Sequence, residues 1–158
     1  MEIISFKDWI LKVDREATFT TYASVQNGSA GECDCIECKN YLASRDGLFP
    51  AEVKLLLCQL GIDYKKEVEV WRMFKGENGK HRYSGYFHFK GGFEGKDCFI
   101  TNDGKNGTFS LTVINESFSI GFRFADEFTF FKAGEQLVQI EFEVDVPWTV
   151  EKRVEPEW

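Results

Sequence analysis

Apolar positions change period once along this chain, near residue 63. Before that point they recur at helical spacing, and after it they alternate. Phe6, Trp9, Ile10 and Val13 stand at i, i+3, i+4 and i+7, which predicts one apolar stripe of a helix. Ser5 stands where an N-cap would, with Asp8 three residues on. The segment 19–23 reads as a short strand, and 26–31 as a loop. A short helix is expected over 39–45, closed by Asp46-Gly47. The next helix, over 50–60, is the best defined. Pro50 suits its first turn, Val53, Leu56, Leu57 and Leu60 form its buried stripe, and Gly61 is its natural C′ residue.

Beyond Asp63 the period is 2. Val68, Val70, Arg72 and Phe74 alternate with Glu67, Glu69, Trp71 and Met73, and Asn78-Gly79 marks a tight hairpin. The returning strand runs from Arg82 to Lys90, and Gly91-Gly92 and Gly95 interrupt the chain. Asn106-Gly107 signals a second hairpin, followed by strands through Val113 and from Phe118 to Phe124. A short strand over 128–131 and a turn at Ala133-Gly134 come next. In the last strand Val138, Ile140, Phe142, Val144 and Val146 face inward, while Gln139, Glu141, Glu143 and Asp145 face outward. A sheet apolar on one face and charged on the other is antiparallel with one face wet, and the connections are too short for βαβ crossovers.

These patterns predict an α+β fold: a meandering antiparallel sheet of about six or seven strands with N-terminal helices packed on one face. At 158 residues the chain fits a single domain, 1–158, within the usual range of about 100–200 residues. The helical and cysteine-loop part covers about 1–63 and the sheet part about 64–150. The charged tail after Pro147-Trp148 reads as loose.

Composition narrows the partners. The chain carries 16 Phe and a net charge of −7. So many aromatics exclude a disordered chain and call for a large core. An acidic chain repels phosphate backbones and anionic membranes, so a basic protein or a cation is the better expectation than nucleic acid. Nothing approaches the run of about 18 apolar residues of a membrane span, and no signal peptide is apparent. The expected compartment is the cytoplasm, where thiols stay reduced.

The chemistry concentrates at Cys33, Cys35 and Cys38, three of the five cysteines. Thiolates at that spacing suit zinc, which takes four ligands in a tetrahedron. The fourth must come from elsewhere, with His88 the first choice and Cys58 the second. The same Cys35-Ile36-Glu37-Cys38 run reads as a redox pair opening a helix, where thiol pKa falls. Glu32, Asp34 and Glu37 oppose a thiolate nucleophile and favour holding a cation. Three reduced cysteines packing a loop is the third reading.

Elsewhere the signals are weaker. His81 follows a turn and reads as solvated, and no triad spacing is present. Glu141, Glu143 and Asp145 form either a solvated strand face or an acidic surface for a basic partner. Gly91, Gly92 and Gly95 precede no helix and lack a phosphate-loop ending. Trp71, Tyr86 and Trp148 could line a groove or pack on the sheet.

The run Cys33-Asp-Cys35-Ile-Glu-Cys38-Lys-Asn40, with Phe49-Pro50, Leu60-Gly61-Ile62-Asp63, Gly85-Tyr86-Phe87-His88-Phe89 and the closing Val138–Trp148 segment, resembles a group of small bacterial domains of unknown function. Its motifs are Cys-x-Cys-x₂-Cys-x-Asn and a downstream aromatic-His-Phe. The resemblance spans about 31–148 and leaves the polar 102–108 stretch unmatched. It implies a bacterial chain and a pairing of the cysteines with His88, and supplies no substrate. In class and charge alone, small acidic domains of this kind are also similar to immunity proteins. The expected function is a non-enzymatic protein-binding module with a structural, zinc-capable cysteine cluster; the alternative is a thiol or metal enzyme centred there.

Overall fold

A β-hairpin, not a helix, opens the computed structural model, which describes residues 1–101 and 103–158. β1 (Glu2–Phe6) and β2 (Trp9–Val13) pair antiparallel, with Lys7 at φ 51° in the turn. Trp9, Leu11 and Val13 are buried while Ile10 is exposed, so the true period is 2. Phe6, Trp9 and Val13 share a face because Phe6 pairs with Trp9 across the hairpin, and in elements this short that imitates a helical stripe, with Ile10 the one member on the other face.

The expected strand at 19–23 is also overturned. It belongs to helix α1 (Arg15–Ala23), whose N-cap Asp14 accepts from the Ala17 backbone N–H at 3.1 Å. Its β-branched threonines mimic a strand, but the cap and tertiary bonds prevail. Thr18 Oγ1 accepts from Lys90 N at 3.1 Å, and Tyr22 Oη donates to His88 O at 2.8 Å. Helix α2 (Ile36–Leu48) starts earlier and ends later than expected, with Asp46 and Gly47 inside its last turn. Helix α3 (Ala51–Leu60) follows Pro50 at its N-cap. It buries the expected leucine stripe and stops at Gly61, φ 86°.

The remaining strands are β3 (Glu69–Lys75), β4 (His81–Glu94), β5 (Phe99–Thr101), β6 (Gly107–Phe109), β7 (Thr112–Asn115), β8 (Phe118–Phe124) and β9 (Leu137–Val146). Seven strands form one antiparallel sheet in the order β1-β2-β4-β9-β8-β7, with β3 beside the first half of β4. β5 and β6 make a separate hairpin. The glycines at 91–92 do not end β4. They carry it from pairing with β3 to pairing with β2, and a Cβ on Gly91 would lie 1.9 Å from Lys12 O. No strand forms over 128–131, where Phe128 has φ 47°.

The three helices pack on one sheet face. Phe49, between α2 and α3, contacts Phe87, Phe118 and Phe142, while Tyr41 lies against Tyr83. The segment after Trp148 is docked rather than loose. Glu155 meets Lys75 at 2.9 Å, and the Arg72 guanidinium stacks 4.3 Å from the Trp158 ring. Among the described residues, no helix is long and apolar enough to cross a membrane.

Candidate functional site

The cysteine loop is positioned from two sides. From below, Glu67 holds it: Ser29 N donates to Glu67 O at 2.9 Å, and Ala30 N donates to Glu67 Oε1 at 2.9 Å. Glu67 is fully buried, and burial pushes its carboxyl above the ordinary carboxylate range. Gly28 is required there, because a Cβ would meet Glu67 N at 2.7 Å. From the other side α2 supplies Cys35 as its N-cap and Cys38 in its first turn.

The Sγ atoms of Cys33, Cys35 and Cys38 all lie within 4.8 Å of one another, so they can hold a metal ion. Cys33 and Cys35 sulfurs are 3.2 Å apart. Backbone N–H groups point at the sulfurs: Cys35 N donates to Cys33 at 3.5 Å, and Cys38 N to Cys35 at 3.4 Å. The first of these bonds holds the Cys33 thiol below its ordinary pKa, while burial pushes Cys38 up. Glu37 is drawn off by Arg72, whose Nε lies 3.3 Å from its carboxylate.

Neither expected fourth ligand joins the group among the described residues. His88 is fully buried on the sheet face turned away from the helices, its Nε2 2.8 Å from Gln139 Oε1. The helices and thiols flank the opposite face because β4 alternates, so Tyr83 and Phe87 point toward the helices while Tyr86 and His88 point away. Cys58 lies exposed on α3, at the edge of a groove with Arg15, Phe19 and Tyr64.

The acidic row of β9 is not a solvated surface. Glu141 and Asp145 are buried, and Arg82 binds Asp145 at 2.6 Å and Glu143 at 3.0 Å. β9 is a central strand, and its second face is shared with Trp71, Tyr86, Phe109 and Leu111. His81 is likewise buried rather than solvated, its ring 5.1 Å from that of Trp148 and its Nε2 3.5 Å from Glu155. Burial lowers its pKa. Sequence reasoning missed this cluster; the only available signal was the density of Trp148, Glu155 and Trp158 in a tail read as loose.

Asn40, the last residue of the cysteine motif, is a structural clamp. Its side chain donates to Pro147 O at 3.1 Å and accepts from Thr149 N at 2.8 Å. Tyr83 Oη, beside it, donates to Glu37 O at 2.7 Å.

No protein-family model, curated protein or solved structure matches this chain.

Proposed function

We propose that this chain is a non-enzymatic protein-binding module whose cysteine loop is clasped by zinc at Cys33, Cys35 and Cys38. The observation that carries the clasp is the convergence of the three sulfurs within 4.8 Å at the start of α2. Zinc–thiolate bonds of about 2.3 Å in a tetrahedron place sulfurs about 3.8 Å apart, which side-chain adjustment reaches from this arrangement. Bound there, zinc would join the loop held by Glu67 to the helix held by Asn40. The binding reading draws on two exposed aromatics that line one cleft, Trp71 on the sheet and Phe109 on the β5–β6 hairpin, 46% and 49% accessible. Large exposed apolar side chains of this kind are favoured at contact surfaces. The buried β9 carboxylates do not support the flat acidic surface expected from sequence.

Cobalt(II) added to reduced, metal-free protein tests the clasp. Thiolate-to-cobalt absorption that saturates at one equivalent, and is lost in Cys35→Ser, is expected. An absence of charge-transfer absorption in the unmodified chain contradicts it.

One observation favours chemistry at the same cluster instead. Three protein ligands leave a zinc position open, which is the arrangement of reactive sites. That reading predicts a metal-bound form that turns over a substrate, or a Cys33 thiol that alkylates near neutral pH much faster than Cys58.

A further inference from the structure

The sheet face turned away from the helices carries a cleft that the thiols do not explain. Its volume is about 320 Å³, and its walls include Trp71, Met73, Tyr86, Phe109 and Arg123. Its floor is the middle of β9, with Glu141 only 6% exposed. Glu141 enters no ion pair among the described residues, whereas its neighbours Glu143 and Asp145 both take Arg82.

The protein holds Glu141 in place through a hydrogen bond rather than a contact ion pair. Gln139 Nε2 donates to Glu141 Oε1, and His88 Nε2 meets Gln139 Oε1 at 2.8 Å. Since the amide nitrogen is directed at the carboxylate, the amide oxygen must accept, so His88 carries its proton on Nε2. The chain of bonds therefore ends on a carboxylate that faces the cleft. Among the described residues one cation, Arg123, shares the lining, and its charge acts on Glu141 from a distance without a contact ion pair. Its guanidinium lies 4.6 Å from the Phe99 ring and 5.3 Å from Phe109. A buried carboxylate with no cation in contact is costly, and an arriving cation in direct contact would relieve that cost. Aromatic faces beside it add cation–π attraction.

We propose that this cleft receives the guanidinium or ammonium group of a basic side chain presented by a partner protein, with Glu141 as its counter-ion and Trp71 and Tyr86 as its aromatic walls. The inference rests on the binding-module reading and names the contact. A protein source fits better than a free amine because apolar surface continues outward over Trp71, Met73 and Phe109, all exposed. Among the described residues β3, which carries Trp71 and Met73, pairs with β4 and with no second strand. The net charge of −7 steers basic partners toward the molecule.

The test is an NMR titration of the whole chain with short peptides that carry arginine, lysine or, as a neutral isostere, citrulline. Arginine and lysine peptides are expected to shift the Trp71 indole N–H while leaving the buried Trp9 indole unmoved. Glu141→Gln is expected to weaken binding about tenfold. Trp71→Ala, a rim substitution that leaves the core intact, is expected to weaken it several-fold. Equal binding of the citrulline peptide, unchanged affinity in Glu141→Gln, or no shift with any cationic peptide overturns the cleft assignment. Binding of free N-acetyl-arginine amide as tight as that of the arginine peptide overturns the protein source, and with it the binding-module reading of this face. The thiol clasp is separable: Cys35→Ser is expected to leave the titration unchanged.

Discussion

At Asn40 a single amide joins α2 to the chain leaving β9, through Pro147 O at 3.1 Å and Thr149 N at 2.8 Å. The residue is fully buried, so removing the amide strands both backbone groups. Asn40→Ala is expected to lower stability by about 2–3 kcal/mol, measured from urea midpoints. Asn40→Asp keeps the acceptor but loses the donor to Pro147 O. His88 gives a pH-dependent counterpart. Burial lowers its pKa to about 4, against 6.5 for the free side chain, with Gln139 and Asp126 opposing. The unfolded chain therefore binds the extra proton first as pH falls. The stability held above pH 6.5 is lost progressively toward pH 4, by roughly 3 kcal/mol. Urea midpoints at pH 7 and pH 4.5 should differ less in His88→Gln than in the unmodified chain. Glu141, whose carboxyl is raised by burial, acts in the opposite sense over part of this window and is common to both proteins.

Among the elements, β4 takes the greatest conformational demand, because one strand serves two neighbours on the same side. Gly91, at φ 150° with Lys12 O where a Cβ would stand, is the point of transfer. Gly91→Ala is expected to release β2 and β1 from the sheet at a cost of about 2 kcal/mol or more. Hydrogen exchange should then quicken across Ile10–Val13 while β9 stays protected. Unchanged protection at β2 would contradict this role. The elements differ in how legible they are from sequence. α3 is plain because its stripe, Pro50 and Gly61 agree. β9 is plain because nine residues, from Val138 to Val146, alternate without interruption. The N-terminal hairpin is not, because five-residue strands leave periodicity ambiguous. Thr18, Thr20 and Thr21 disguise α1 for a related reason, since β-branched residues fit a strand locally and the deciding cap lies outside them.

On the scale of the whole molecule, the sheet has two different faces. One is an aromatic core under the helices. The other is a polar and aromatic layer built on Tyr86, His88, Gln139 and Glu141. Alternation in β9 correctly places its apolar side, but sequence cannot show that Phe109 and Leu111 border the polar side. Strand order and long-range packing decide that. The same holds for the candidate site. Cys33, Cys35 and Cys38 are legible because they are neighbours along the chain, so a loop and one helix turn suffice to gather them. A fourth ligand depends on which sheet face each histidine takes, and β4 turns His88 away from the thiols.

The proposed metal clasp at the three thiols would stabilise the loop between α1 and α2. The most direct measurement is elemental analysis of protein purified without chelator or a metal-binding tag, paired with a thermal melt of the same sample. About one zinc per chain is expected, lost in Cys35→Ser together with a fall in melting temperature that added chelator reproduces in the unmodified protein. A metal-free chain whose melting temperature is indifferent to zinc, to chelator and to Cys35→Ser would contradict it.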